Sequence, residues 1–468
     1  MIFSSYPFLL LFLPLVYAGF LLLRRARLEG VATAFLVLAS LVFYAVWDWR
    51  LLGLLLVSIV ANYLLGQLVA KYRSKGWLVL AVAGNLGLLA YYKYAGFLFA
   101  FIPASAGWNI VLPLGISFFT FQQIAWQVDL YRGKIERPGD PLRYVFFVSF
   151  FPQLIAGPIV HARELLPQID TGWLRRSLPW QLGLSLLAVG LVKKVLLADS
   201  LAPGVDSLYS RAAAGELLAA PDVLLAAFSY GLQLYFDFSG YADMAMGLAL
   251  LFGIRLPVNF RSPYQSGSII EFWRRWHITL SHFLRDYLYI ALGGNRRGAV
   301  RRHANLMVTM LLGGLWHGAG WQFVLWGGLH GAMLVINHRW RRLSSWRCPR
   351  PVGVVLTLVA VMLAWIPFRA DSLATASRMY SGLLDWHWTW SLGDTRVVLD
   401  EVLSLRIAQS APLVCLAFTA LALLAPNSRR LCLSLGYLGR GVLVAVAFFL
   451  VLKALAGQPD RAFLYFNF

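Results

Sequence analysis

Two imidazoles stand in a stretch that carries no Asp, Glu, Lys or Arg. Residues 311–331 read LLGGLWHGAGWQFVLWGGLHG and hold His317 and His330. A neutral imidazole takes a proton from a hydroxyl and returns it to a leaving group. Ionisable side chains inside hydrocarbon are expensive and are functional by default. Gly313, Gly314, Gly318 and Gly320 surround His317 and let a backbone or a substrate come close. His317 is therefore the stronger base candidate, its bland alternative being a packing histidine bonded across a helix bundle. His330 lies nine residues before the basic run at Arg339, and packing or anchoring competes evenly there with a role in the site. On one straight helix the two rings would stand about 20 Å apart and would not share a reacting atom.

Two more stretches carry polar groups in apolar company. Residues 268–290 read SIIEFWRRWHITLSHFLRDYLYI. On a helix, Glu271, Arg274, Arg275, His282, Arg285 and Asp286 share one face, and Phe272, Trp273, Trp276, Leu280 and Phe283 share the other. Such a helix lies at a membrane interface or lines a water-filled cavity. His282 falls on the charged face, where a solvated histidine is ordinary. His277 falls on the apolar face, where function and a bond to a backbone carbonyl are evenly matched. Residues 233–247, QLYFDFSGYADMAMG, place Asp237, Ser239 and Asp243 in an apolar span. A carboxylate there needs a partner, and Arg255, Arg261, Arg274 and Arg275 are near in sequence. The expected role of both acids is a buried ion pair that fixes a cavity wall.

The elements that hold these groups follow from composition. Of 468 residues, 59% are hydrophobic and 13% charged. Apolar runs near spanning length fall at 6–23, 31–49, 51–70, 77–102, 144–158, 180–198, 222–253, 305–336, 351–367, 410–425 and 440–456. This predicts an all-α, polytopic membrane protein of about eleven transmembrane helices. The stretch VLPLGISFFTFQQIAWQVDLYRG mixes Pro, Gly, Gln and an acid and predicts a broken or partly buried helix. Residues 199–221 and 370–409 are the two longest polar connections. No fixed-period repeat is visible.

The net charge is 41 − 21 = +20. In a soluble protein that excess would suggest nucleic acid. Here the cations gather in short loops, such as Arg24, Arg25 and Arg27 or Lys71, Arg73 and Lys75, as they do on the cytoplasmic side of a membrane. No aromatic-basic module stands outside the apolar runs, so no nucleic-acid partner is expected. Charge alternation predicts a retained first helix with its N-terminus outside. Cys348, Cys415 and Cys432 lack the spacing of a disulfide framework or a zinc site and read as structural, and no metal is expected.

Five strings, GGLWHGAGWQFVLWGGLHG, YFDFSGYADMAMGLALLFGIRLPVNFRSPY, EFWRRWHITLSHFLRDYLYIALGGNRRG, PLGISFFTFQQIAWQVDLYRG and FFPQLIAGPIV, together resemble the membrane-bound O-acyltransferases. They most resemble the bacterial branch that contains the membrane subunit of alginate O-acetylation and the D-alanyl transfer protein of teichoic-acid modification. The likeness runs from about residue 110 to 370, with departures at Gly320 and Pro367. It implies one integral-membrane domain over 1–468, with the family core at 110–370, N-terminal helices at 1–105 and C-terminal helices at 371–468. It implies in-plane or re-entrant helices around a central funnel or tunnel.

On that pattern His317 matches the essential histidine of the WHG motif, and His277 the second histidine, in the RWH motif. Candidates for lining the tunnel are Trp316, Trp273, Asp237, Ser239, Asp243, Arg274, Asn259 and His330. The resemblance implies acetyl transfer from a cytoplasmic thioester, acetyl-CoA or an acyl carrier, with no bound cofactor. The acceptor would be an extracytoplasmic, alginate-like polysaccharide, reached through an exported O-acetyltransferase-like partner. The place would be the inner membrane of a bacterium. Arg296, Arg297, Arg301 and Arg302 suit either an anionic donor or the inner leaflet. Transfer of D-alanine or a longer acyl chain stays open, as do a transporter and a scaffold subunit of a polysaccharide synthase.

Overall fold

The computed structural model describes residues 1–98, 111–346, 348–387, 412–457 and 461–467. Among these residues all regular structure is helical. Among the described residues six helices are long and apolar enough to cross a bilayer: Pro7–Arg25, Trp49–Tyr72, Lys75–Phe97, Trp180–Ala213, Arg350–Arg369 and Tyr437–Gly457. Pro412–Leu424 with Ser428–Ser434 adds a seventh if the two count as one broken span. The WDWR stretch at residues 47–50 starts a helix by capping it. Asp48 accepts from the Arg50 N–H at 3.0 Å and satisfies a backbone donor that the helix cannot.

The chain divides into two compact units. One holds residues 1–190, 241–258 and 432–452. Its core includes Phe3, Phe8, Phe43 and Phe151, with ring centroids 5.0 to 6.5 Å apart. Polar side chains in this unit answer one another. Asn62 and Asn85 exchange amide bonds of 3.2 and 2.6 Å, and the Gln127 amide donates to the Asn62 carbonyl at 2.8 Å. A buried amide without such partners would cost about 1–3 kcal/mol. The Gln-containing stretch predicted as broken or partly buried is an unbroken helix, Ile116–Tyr131, buried along nearly its whole length.

The second unit holds residues 191–240, 259–431 and 453–468. Tyr264, Phe272, Trp276, Trp326, Trp365 and Phe368 form much of its interior. Tyr264 donates to the Gly231 carbonyl at 2.6 Å and ties the Ala220–Leu251 helix to that cluster.

Three sequence expectations change. Residues 199–221 are not a polar connection, because Asp199–Ala213 is helical. Leu201, Ala202, Val205, Leu208, Tyr209 and Ala212 are buried at helical spacing, and the polar residues ride the other face. The run at 144–158 is not a single span. Helix Pro141–Ser149 stops at Phe150, and Pro152 sits in the first turn of the next short helix, where its missing N–H costs nothing. Within 370–409, Leu373–Gly382 is helical behind a Ser372 cap, and residues 388–409 lie outside the described residues.

Candidate active site

The stretch 311–331 is a hairpin and not one straight helix. Gly298–His317 ends at the first histidine, residues 318–320 turn the chain, and Trp321–Leu343 runs back. Glycine makes the closure possible by what it lacks. A Cβ on Gly314 would lie 2.2 Å from the Phe323 carbonyl oxygen, and one on Gly327 would lie 2.3 Å from that of Met310. The arms therefore meet backbone to backbone, as small residues allow between membrane helices. The expected 20 Å separation does not hold, because the turn folds one histidine back toward the other. His317 and His330 both touch the Trp326 ring, at 5.1 and 4.8 Å.

His317 is 4% exposed. Its ring lies 4.8 Å from Trp316 and 5.1 Å from Phe368, which the Arg350–Arg369 helix supplies. Trp316 also reaches His277, at 6.4 Å, so one indole stands between the two histidines of the predicted pair. His330 is fully buried among Phe272, Trp273, Trp326 and Trp365.

The segment around His277 is likewise not one amphipathic helix. Ile269–Trp273 opens behind a Ser268 cap, and a second helix, Ile278–Phe283, begins after His277. His277 itself has φ 42° and ψ 54°, in the left-handed region. That conformation costs an L-residue of this kind about 1–2 kcal/mol and persists only where neighbours over-determine it. Here they do. Residues 259–261 run beside 275–278, with Ile278 N–H donating to the Asn259 carbonyl and Arg261 N–H to the Arg275 carbonyl, both at 3.0 Å. The break turns the His277 side chain into the protein, where it is fully buried 4.7 Å from the Phe238 ring.

The hydrogen bonds also decide the tautomer. Asn259 Oδ1 accepts from the Thr279 N–H at 3.2 Å and the Thr279 hydroxyl at 3.0 Å. A backbone N–H only donates, so the shared atom is the amide oxygen. His277 Nδ1, 3.2 Å from that oxygen, must therefore carry a proton. In a neutral ring the lone pair is then on Nε2.

The other predicted residues separate. Trp316, Trp273, Asn259 and His330 join the cluster. Asp237 pairs with Lys194 at 2.7 Å, and not with any of the four arginines expected from the sequence. Arg275 is committed to Glu271 at 2.6 Å, one helical turn away. The Ser239 hydroxyl accepts from Lys193 at 3.2 Å. Arg274 is exposed, at the C-terminal end of the Ile269–Trp273 helix. Asp243 is buried but belongs to the other unit.

A cavity of about 460 Å³ opens beside this cluster. Lys194, Asp199, Asp206, Arg369 and Arg461 give it charges of both signs, and Phe323 and Phe368 form its apolar side. Phe368 thus touches both His317 and the cavity. At the rim, hydrogen bonds from the hydroxyls of Thr375 and Ser372 hold the Asp371 carboxyl below the usual carboxylate range. Among the described residues no three His, Cys, Asp or Glu side chains converge as metal ligands would. Sequence reasoning passed over Lys194, Trp326 and Phe368. The signal for the first was present, since LLAVGLVKKVLLA sets two lysines inside an apolar run.

Residues 41–374 match the membrane-bound O-acyltransferase family, MBOAT. The probable alginate O-acetylase of Azotobacter vinelandii is 42% identical over 427 residues, which cover 87% of this chain and 82% of that protein. The peptidoglycan O-acetyltransferase of Helicobacter pylori is 40% identical over 425 residues, 82% of this chain and 80% of its own length. The teichoic acid D-alanyltransferase of Bacillus subtilis is 26% identical over 270 residues, 55% of this chain and 67% of its own.

Proposed function

The chain belongs to the membrane-bound O-acyltransferase family and is a multi-pass membrane enzyme, and from that premise we propose that it moves an acetyl group from a cytoplasmic thioester to a hydroxyl across the membrane. His317 acts as general base. It takes the proton of the acceptor hydroxyl while the oxygen attacks the thioester carbonyl. The C–S bond then breaks, and the imidazolium returns the proton to the departing sulfur, so ester and thiol leave with atoms balanced. The observation that carries this reading is the place of His317. Its ring touches Phe368, and Phe368 lines a polar cavity large enough for part of an acceptor.

His277 serves in orientation. Its Nδ1–H is held by Asn259, which leaves Nε2 as an acceptor for an N–H or O–H of the donor. The rings of Trp316, Trp326 and Phe368 keep water from the thioester. The two O-acetylating relatives favour acetyl over D-alanyl, because the D-alanyl relative matches at lower identity over a shorter stretch. An alginate-like polysaccharide, an exported partner that hands acetyl to it, and the bacterial inner membrane complete the reading. Acetyl-CoA or an acyl carrier supplies the group.

The test is His317→Ala and His277→Ala in cells whose surface polysaccharide is examined for acetyl by mass spectrometry. Loss of the base lowers transfer by a factor of about 10² to 10⁴. Normal protein level with undiminished polymer acetyl removes His317 from the chemistry.

A further inference from the structure

Lys194 is 1% exposed, and its ammonium has three donors to place. Two go to carboxylates, Asp199 at 2.8 Å and Asp237 at 2.7 Å. The third goes to the carbonyl oxygen of Ala462 at 3.2 Å. The second oxygen of Asp237 accepts the Leu464 N–H at 3.0 Å. Between them the Phe463 ring is buried, with the Lys194 ammonium 4.8 Å from its centroid. A segment more than two hundred residues away in sequence is thus gripped by its backbone and by a ring. Arg461, Ala462 and Leu464 of that segment line the same cavity as Phe323 and Phe368. Just outside the grip, Arg461 stands 3.8 Å from Asp206, which also holds Arg369 at 2.6 Å.

Two acids and one cation buried together are expensive, and apolar residues would join helices at less cost. What this trio does that apolar residues would not is bond the peptide groups of residues 462 and 464. We infer that Lys194 and Asp237 form a latch that holds residues 461–464 as one wall of the cavity and so sets how far it opens toward the Phe323–Phe368 pair beside His317. The latch residues position the wall and do not touch the reacting atoms. The inference rests on the acyl-transfer reading, in which that cavity receives the acceptor.

The test replaces Cys348, Cys415 and Cys432 by alanine and introduces Ala202→Cys, a buried cavity-lining position. The purified protein in detergent is then labelled with a hydrophilic thiol reagent. Asp237→Leu removes the acceptor for Leu464 yet leaves Lys194 paired with Asp199, so no lone ammonium is stranded. Leu464→Pro removes the same bond from the other side without touching a charge. Leu464 is the first residue of a helical turn, where proline is well tolerated. Asp237→Asn keeps one oxygen, enough to accept from Leu464 or from Lys194 but not from both, and is the intermediate case.

Losing one charge-assisted bond raises the opened fraction roughly tenfold or more. Labelling in Asp237→Leu and Leu464→Pro should accelerate by that factor, with Asp237→Asn between them and the parent. If Asp237→Leu fails to give monodisperse protein, Leu464→Pro decides alone. Parental labelling in a folded Leu464→Pro variant overturns the latch. The labelling needs no acyl donor, so it stands or falls apart from the His317→Ala assay that tests the reaction.

Discussion

Asn259→Leu is the substitution that most directly tests how His277 is held. The side chains are close in size, so the change removes hydrogen bonds and little volume. Asn259 Oδ1 accepts three times, from His277 Nδ1, Thr279 N–H and the Thr279 hydroxyl. The hydroxyl can rotate to another acceptor, and the imidazole can move its proton to Nε2. The Thr279 N–H has no such escape. One stranded donor, with partial loss at the ring, lowers stability by about 2–4 kcal/mol. The backbone bond from Ile278 to the Asn259 carbonyl remains and keeps the chain break in place.

The effect on transfer is separate. The bond to Asn259 favours the Nδ1–H tautomer by about 1–1.5 kcal/mol, close to tenfold in population. Without it the ring is also free to turn. Acetyl transferred per folded molecule should therefore fall by about tenfold or somewhat more. Asn259→Asp, which keeps an acceptor oxygen, should retain more activity than Asn259→Leu. The assay is acetyl content of surface polymer, normalised to protein that survives detergent extraction as a single peak, with thermal unfolding measured in parallel. A variant that loses stability as stated but transfers acetyl at the parental rate per folded molecule would refute the orienting role of Asn259.

Gly327→Leu should abolish accumulation of folded protein, since its Cβ would stand 2.3 Å from the Met310 carbonyl, whereas Gly328→Ala meets only the end of Leu311 at 3.6 Å and should be tolerated; membrane abundance by immunoblot tells them apart. Asp371 is held below the usual carboxylate range by the hydroxyls of Thr375 and Ser372. The stability this gives is whole above the ordinary aspartate value of about 4 and is lost as pH falls through it and below. Thermal unfolding of Asp371→Asn should accordingly change less than the parent's between about pH 5 and 3, and equal slopes would contradict the assignment.

Part of what surrounds the candidate site was legible in the chain. Apolar runs of spanning length announced a membrane protein, because hydrocarbon admits little else. Glycines around His317 announced close approach, and the hairpin uses Gly314 and Gly327 for that purpose. The need of Asp237 for a cation was also legible. What misled was the assumption of unbroken helices. A helical wheel assigned His277 to an apolar face, and the residue is indeed buried, but through a left-handed break that periodicity does not report.

Sequence alone determined the class of the protein and the residue types able to do acyl-transfer chemistry, since long apolar runs and the polar side chains set within them are read directly from the order of residues. Tertiary structure decided the partners. Lys194 rather than an arginine meets Asp237, forty-three residues away, and Leu464 meets the same carboxylate across two hundred and twenty-seven. Asn259 sets the tautomer of a histidine eighteen residues on. Local pattern tells which face of a helix is apolar, while the choice among buried partners is made only when helices pack and every stranded charge or N–H must find an answering atom.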